Sequence, residues 1–250
     1  MVPVTRPYAI WSPPWDHKVG GIRALYKLVE ELQARGLDAT VASGGADPEA
    51  IVVYPEIVQD NPLRAERIVR WRLAPADVPA DGYTVDWLDY GAGNPVLTLD
   101  LIDAELFARR PNPYRSGVAL WVHKGRADLD LIPPGAVQIT SNTPETREGV
   151  ADLLSRSEYL LSFDEFSTVN LEAILLGTPV LLYPTVRFTR EELLAQGWPH
   201  YGVAWSPDQL DSARQCTTLA WDWYRGEQVR FAGMVEAFIR GTQARWPSSG

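Results

Sequence analysis

Residues 162–180 read S-F-D-E-F-S-T-V-N-L-E-A-I-L-L-G-T-P-V, and the other inferences from the sequence extend from this stretch. An apolar run that ends near Phe163 predicts a strand, and the polar residues that follow it predict a loop. The apolar spacing after Ser167 predicts a short helix that Gly177 closes. Pro179 then precedes a new apolar run. The stretch therefore predicts a strand, a loop, a helix and a second strand, which is a repeating unit of parallel α/β sheets.

The predicted helix start is suited to bind an anion. A helix N-terminus presents unpaired backbone N–H groups and the positive end of the peptide dipoles, so Phe166, Ser167 and Thr168 are candidates to hold a phosphate. Glu172 lies one turn further along and is placed to accept hydrogen bonds from both hydroxyls of a ribose. The alternative is an amphipathic helix on a sheet, with Glu172 simply solvated.

This stretch resembles the E-x7-E signature of retaining glycosyltransferases of the GT-B fold, whose usual form is close to P-S-x-x-E-G-F-G-x-x-x-x-E-A-x-x-x-G-x-P-V. Alignment on Phe166 places Asp164 on the first acid and Glu172 on the second. Alignment on Ser162 instead moves the first acid to Glu165. The resemblance implies that Asp164 or Glu165 acts at the donor sugar as the catalytic carboxylate, and that Glu172 binds the donor's ribose.

Along the whole chain, short apolar strands alternate with amphipathic helices, which predicts an α/β class with parallel sheets. With the resemblance, the expected architecture is GT-B: two Rossmann-like domains with parallel sheets that face a central cleft. The expected domains are an acceptor-side domain at 1–112, a nucleotide-sugar-binding domain at 113–225 and a C-terminal helix at 226–250 that crosses back to the first domain. The proline-bearing linker Arg109–Pro113 predicts the boundary.

Hydrophobic periodicity and capping residues predict the individual elements. In the first domain they are strand Tyr8–Trp11, helix Gly20–Arg35, strands Ala39–Ala42 and Ile51–Tyr54, and helix Arg64–Leu73. In the second they are strands Val118–Val122, Ala136–Thr140, Tyr159–Phe163 and Val180–Tyr183, a helix Pro144–Ser155 capped by Thr143, a helix from Thr189, and a helical tail Pro207–Trp246. Capping boxes are predicted at Thr189 with Glu192 and at Ser206 with Gln209.

A pair of cations follows the first predicted strand of the second domain, in the sequence W-V-H-K-G-R at 121–126. Ligands of open α/β sheets bind outside the carboxyl ends of the strands, so Lys124 and Arg126 are predicted to hold a diphosphate and to stabilise it as a leaving group. By the resemblance, Lys124 takes the place of the family's diphosphate-binding arginine, and His123 replaces a glycine. The alternative is a strand-end lysine that is merely solvated.

The loop before the first predicted helix contains a second candidate site. Gly20 and Gly21 let the backbone pass close to a ligand and resemble the family's N-terminal glycine-rich loop, which implies a donor-binding role. A dinucleotide fingerprint is not met, because no third glycine follows at the required spacing. Asp16 and His17 are candidate catalytic residues for acceptor handling, since an imidazole can take a proton near neutral pH. Local hydrogen bonds are the alternative role for both.

Composition limits the classes of function. The formal net charge of −9 disfavours a surface that binds nucleic acid throughout, although Arg64, Arg67, Arg70 and Arg72 form a basic segment in which Arg67 and Arg70 share a predicted helix face. That face is either a polyanion site or simply solvated. No spacing of histidines and carboxylates suggests a bound metal. One cysteine, no signal sequence and no apolar run of about 20 residues predict a cytoplasmic protein without a membrane span.

The resemblance implies transfer of a glycosyl group from a nucleoside-diphosphate sugar, expected to be a UDP-sugar, to a hydroxyl of a glycan or small molecule, with retention of configuration. No cofactor is expected beyond this donor. The short chain is typical of a minimal, phage-type enzyme, so a hydroxymethylated base in DNA is an alternative acceptor. A sugar-nucleotide 2-epimerase and a non-catalytic nucleotide-binding module of the same fold also stay open. The sequence does not indicate an oligomeric state.

Overall fold

A computed structural model of the chain describes residues 5–17, 19–108, 112–122, 127–140, 142–165, 167–183, 189–195 and 201–248. Contacts divide the chain into two compact units. Unit 1 comprises Met1–Leu101 together with Glu227–Gly250, and unit 2 comprises Ile102–Gly226. The division therefore falls between Leu101 and Ile102, ahead of the proline-bearing linker Arg109–Pro113 that the sequence predicts as the boundary.

Unit 1 is built on one sheet of five parallel strands. They are β1 (Tyr8–Trp11), β2 (Ala39–Ala42), β3 (Ile51–Pro55), β4 (Ile68–Arg72) and β5 (Tyr83–Asp86), in the order β2-β1-β3-β4-β5. Helix α1 (Gly20–Gln33) connects β1 to β2. Its residues Leu25, Leu28 and Leu32 recur at helical spacing and are buried in the core of this unit, as the periodicity predicts.

The predicted helix Arg64–Leu73 is wrong, because the second half of that segment is strand β4. Val69 and Trp71 belong to one core cluster of the unit, whereas Ile68 belongs to another, as expected for residues that alternate between the faces of a sheet. We took the arginines between them as signs of a solvated helix. Arg70 is instead fully buried and paired with the carboxylate of Asp81. A charged side chain in this segment is therefore not a sign of a solvent-exposed face.

Unit 2 contains the second sheet, again of five parallel strands. In chain order the elements are α2 (Ala104–Phe107), β6 (Val118–Trp121), β7 (Val137–Ile139), α3 (Arg147–Arg156), β8 (Tyr159–Ser162), α4 (Thr168–Leu175), β9 (Val180–Leu182), α5 (Arg190–Ala195), β10 (Val203–Ala204), α6 (Leu210–Cys216) and α7 (Ala220–Arg245). The strand order is β10-β9-β8-β6-β7. The predicted strand, loop, helix and strand of residues 162–180 are thereby confirmed.

Of the three predicted helix caps, Thr143 is wrong, Thr189 is confirmed, and Ser206 takes the N-cap position without a side-chain hydrogen bond. Helix α3 begins later than expected, and its cap is Thr146, whose hydroxyl accepts from Gly149 N at 3.1 Å. The capping box of α5 is confirmed, since Thr189 and Glu192 exchange hydrogen bonds with each other's backbone N–H groups at 2.7 and 3.2 Å. Near Ser206 the predicted box is replaced by a bond from Trp205 N to the side chain of Gln209.

Helix α7 is the longest helix among the described residues, and the division between the units falls within it. Its second half supplies Val235 and Phe238 to the core of unit 1. The hydroxyl of Thr242, from the same half, lies 2.7 Å from that of Tyr8 on β1. None of the described helices combines the length and the apolar character that crossing a bilayer requires.

The predicted α/β class with two Rossmann-like parallel sheets is confirmed, and this is the composition of the GT-B fold. That the sheets face a common cleft stays a prediction. In each sheet the strand order reverses beside the unit's first strand, between β1 and β3 in unit 1 and between β6 and β8 in unit 2. Ligands of open α/β sheets bind at such switch points, outside the carboxyl ends of the strands.

Candidate functional site

The motif loop leaves the sheet of unit 2 at its switch point. Trp121, the last residue of β6, pairs with Ser162, the last residue of β8, and Phe163 N donates to Trp121 O at 3.0 Å. The loop that follows β8 therefore starts beside the loop that follows β6. The candidate cations of that second loop, Lys124 and Arg126, lie outside the described residues, as do His123 and Phe166.

Hydrogen bonds fix the backbone of the motif loop. Asp164 N donates to the hydroxyl of Ser162 at 3.3 Å. The amide Nδ2 of Asn170, in the first turn of α4, donates to the carbonyls of Asp164 at 2.7 Å and Glu165 at 3.3 Å. Because Asn170 is 1% exposed, these bonds are shielded from water and hold the loop against the helix.

Helix α4 begins where the sequence predicts, directly after this loop. Ser167 is its N-cap, and the hydroxyl of Ser167 accepts from Val169 N at 3.2 Å. Thr168 is the first helical residue. The cap already satisfies one N–H group of the first turn, so a phosphate at this end would share the helix terminus with Ser167. The donor-binding role of Ser167 and Thr168 stays a prediction.

Three carboxylates of this region are buried. Asp164 is 3% exposed, and Glu165 and Glu172 are 0% exposed. Burial of a charged carboxylate costs free energy even when it has partners, and replacement of buried ion pairs by apolar residues is often neutral or stabilising. Three such groups within nine residues are therefore poorly explained by fold stability, and buried charges of this kind cluster at functional sites.

Glu172 has a partner that sequence reasoning missed. Arg147, the first residue of α3, forms an ion pair with Glu172 through its guanidinium, which also lies 5.1 Å from the centre of the Phe107 ring. Helices α3 and α4 both follow parallel strands and so begin at the same edge of the sheet. That rule places Arg147 near the motif once α3 is known to begin at Arg147. The sequence instead predicts a helix that begins at Pro144 with Thr143 as its cap.

An aromatic pair, which the sequence analysis also missed, lies at the same edge. Phe163 follows β8, Tyr183 follows β9, and their rings stack with centroids 5.7 Å apart at an angle of 18°. Phe163 is buried, while Tyr183 is partly exposed. A partly exposed aromatic face beside the motif loop is suited to stack on a planar group such as a nucleobase.

The second candidate loop lies at the switch point of unit 1. Asp16 and His17 follow β1 and are partly exposed, and Asp16 O accepts from Val19 N at 3.3 Å. Helix α1 begins at Gly20 without a side-chain cap and without an acidic residue in its first turn. A Cβ added at Gly20 would meet no atom within 4 Å, and one at Gly21 would lie 3.5 Å from Leu73 Cδ1. The predicted roles of these four residues remain untested.

The basic segment forms neither the polyanion site nor the solvated helix face that the sequence left as alternatives. Arg70 makes two hydrogen bonds to Asp81, at 2.9 and 2.6 Å, and Arg72 makes two to Asp86, at 2.5 and 2.6 Å. Hydrogen bonds from Arg70 lower the pKa of Asp81. Arg67 lies within 4 Å of two glutamates, which leaves Arg64 as the exposed arginine of the four.

Among the described residues, no group of three or more His, Cys, Asp and Glu side chains is arranged to hold a metal ion. Cys216 is a partly exposed free thiol on α6.

No protein-family model matches the chain, and no curated protein matches it either. Among solved structures it is similar to an alpha-glucosyltransferase in complex with UDP and a 13-mer DNA containing an HMU base, at 10% identity and a TM-score of 0.40, over 94% of this chain and 95% of that one. It is also similar to the spinosyn forosaminyltransferase SpnP, at 15% identity and a TM-score of 0.41, over 98% and 96%. A third is the E. coli RcsC C-terminus, at 15% identity and a TM-score of 0.26, over 91% and 97%. Likenesses this distant carry no argument about activity, which must come from the chain's own residues.

Proposed function

We propose that the chain is a glycosyltransferase that binds a nucleoside-diphosphate sugar in unit 2 and transfers the sugar to a hydroxyl group. One observation carries the proposal: the acids of the E-x7-E-like stretch lie buried beside a helix N-terminus at the switch point of a parallel sheet. Fold stability does not favour buried carboxylates at this place, whereas recognition of sugar hydroxyls does.

The proposed roles follow from charge. Beside the motif loop lie the buried carboxylates of Asp164, Glu165 and Glu172, and the described cation paired with Glu172 is the guanidinium of Arg147. A diphosphate needs more positive charge than this, so we assign its binding to Lys124 and Arg126 together with the start of α4. Asp164 or Glu165 is then available for hydroxyls of the donor sugar.

Glu172 and Arg147 are proposed to act as one unit. The guanidinium holds one carboxylate oxygen of Glu172 and fixes the orientation of the group we assign to the ribose. The stack of Phe163 and Tyr183 offers its partly exposed side to the base. A UDP-sugar is the expected donor, and retention of configuration is proposed on the E-x7-E resemblance alone.

The first test is direct. Release of the nucleoside diphosphate (UDP, GDP or ADP) from a panel of UDP-, GDP- and ADP-sugars is measured with the chain, with and without hydroxyl acceptors. We expect release from at least one donor, loss of most of it in Glu172→Gln and Lys124→Ala, and no change in Glu191→Gln, an exposed glutamate of the same unit. If the wild type binds no nucleoside diphosphate and turns over no donor, the proposal is wrong.

Product analysis separates the alternative activities. A 2-epimerase would return an altered sugar without any acceptor, and a non-catalytic module would bind UDP without releasing sugar. NMR of the first product formed identifies its anomeric configuration. An anomer inverted relative to the donor would remove the retaining assignment while leaving glycosyl transfer in place.

A further inference from the structure

One carboxylate at the edge of the sheet of unit 1, that of Glu56, is held in place through one of its two oxygens. Glu56 directly follows β3, which borders the switch point of this sheet. Its Oε2 accepts from Leu73 N, just after β4, at 2.9 Å. Glu56 is partly exposed, and no described residue donates a hydrogen bond to its Oε1. The backbone therefore orients a carboxylate whose second oxygen remains available, at a position where α/β sheets bind ligands.

A tyrosine hydroxyl lies on the other side of Leu73. Tyr90 donates to Leu73 O at 3.3 Å, and the guanidinium of Arg72 lies 5.4 Å from the centre of its ring. Burial, followed by the charges of Glu56 and Asp86, raises the pKa of Tyr90 above its usual value. The phenol thus stays protonated at neutral pH, and while its hydrogen is donated to Leu73 O its oxygen can still accept a hydrogen bond.

Both groups border the loop that the sequence assigned to the acceptor. A Cβ on Gly21 would lie 3.5 Å from the side chain of Leu73, so the start of α1 adjoins Leu73 and the two groups bonded to it. Asp16 and His17 lie in the loop that connects β1 to the start of α1. Glu56, Tyr90 and the loop of Asp16 therefore belong to one edge of unit 1.

The charge balance at this edge selects the kind of ligand. Arg72 is neutralised by Asp86, which is 1% exposed and also accepts from Asn94 Nδ2 at 3.2 Å. Among the described residues Glu56, Arg72 and Asp86, Glu56 is the charge that no ion pair neutralises, and a carboxylate repels phosphates. A hydroxyl group, in contrast, donates a strong charge-assisted hydrogen bond to it.

We propose that Glu56 and Tyr90 bind a neutral, hydroxyl-rich acceptor, a sugar or polyol, through the Glu56 Oε1 and the Tyr90 hydroxyl. The proposal rests on the glycosyltransferase function proposed above and specifies its acceptor. It predicts that DNA is not the acceptor, because this carboxylate would repel the phosphates of DNA.

The test compares acceptors and variants in the same assay of nucleoside-diphosphate release. Methyl α-D-glucopyranoside, maltose and myo-inositol are the neutral probes, and a duplex that contains 5-hydroxymethyluracil is the nucleic-acid probe. We expect the neutral probes to stimulate release and the duplex not to. Glu56→Gln should lower the stimulated rate by about tenfold or more, mainly through the acceptor KM, and Tyr90→Phe by less.

The control is Glu66→Gln, an exposed glutamate of the same unit, which should behave as wild type. The acceptor proposal is overturned if the duplex stimulates release and the neutral probes do not, if no probe stimulates it, or if Glu56→Gln equals Glu66→Gln. Affinity for UDP, GDP and ADP, measured by calorimetry on each protein, separates the two proposals. Binding of one of these diphosphates with any of these results overturns the acceptor site alone, whereas the absence of binding of all three in the wild type overturns the donor site and with it this inference.

Discussion

One ion pair in each unit has a single fully buried member, and these two pairs bury opposite charges. In unit 1, Arg70 is 0% exposed and its partner Asp81 is 40% exposed, whereas in unit 2 Glu172 is 0% exposed and its partner Arg147 is 20% exposed. Arg70 also donates to two backbone carbonyls of the loop after β3, so it ties that loop to the sheet. The pair of unit 2 instead lies beside the motif loop. We infer that the first pair stabilises the fold and that the second orders a binding site.

The largest loss of folding stability is expected from Arg147→Met. Loss of the guanidinium removes the cation paired with the buried Glu172, and breaking a buried ion pair costs about 3–5 kcal/mol. Urea unfolding of the variant and wild type at neutral pH measures this loss of stability.

The matched control for that variant is Arg225→Met, an arginine of unit 2 that is 69% exposed and paired with Asp222. An exposed pair contributes about 0–1 kcal/mol, so this change should be nearly neutral. If Arg147→Met and Arg225→Met unfold at the same urea concentration, the pair of unit 2 is not a buried ion pair.

A smaller cost is expected from Asp81→Ala in unit 1. Arg70 loses its carboxylate but keeps its two carbonyl acceptors and the Tyr54 ring 4.9 Å below it, so we expect about 1.5–3 kcal/mol. A guanidinium does not lose its proton, so the deficit relative to wild type should stay constant from neutral pH down to about pH 4, below which wild type also loses the charge of Asp81. Asp77→Ala, which removes an exposed aspartate nearby, serves as the control. A deficit that shrinks between neutral pH and about pH 4 would show that the unpaired guanidinium is not its cause.

The wild-type pair of unit 1 has its own pH dependence. Arg70 lowers the pKa of Asp81 in the folded state, so the stabilisation is fully present above the unfolded value of about 4 and is lost as the pH falls through the lowered folded value. The stability difference between wild type and Asp81→Asn should therefore narrow only below about pH 4. A difference that is unchanged down to acid unfolding would show that the charge of Asp81 is not what stabilises the pair.

The smallest effect on stability is expected from Gly20→Ala. A Cβ there meets nothing within 4 Å, and alanine is favoured in helices over glycine by about 0.5–1 kcal/mol, so the free protein should be as stable as wild type or more so. If the backbone passes close to a ligand here, the same change weakens donor or acceptor binding. Gly226→Ala, in open space within α7, is the matched control. Equal ligand affinity in both variants would remove Gly20 from the site.

Local patterns predicted much of this structure, because helix periodicity and turn residues act over short separations. The motif stretch and the capping box of Thr189 are examples. Segments whose structure depends on distant partners were missed. Strand β4 carries an arginine whose burial depends on Asp81 and on two backbone carbonyls of another loop. Arg147 is assigned to the candidate site through Glu172, 25 residues away. The acids of the candidate site were proposed from the sequence, whereas the cation paired with Glu172 was not.

Hydrogen exchange measured by mass spectrometry, with and without saturating UDP, tests the central claim most directly. We predict that UDP slows exchange in the peptides that cover Ser162–Leu175 and the start of α3, and that it leaves β3 and β4 of unit 1 unchanged. Protection confined to unit 1, or no protection anywhere at saturating UDP, would contradict the assignment of the donor site to the switch point of unit 2.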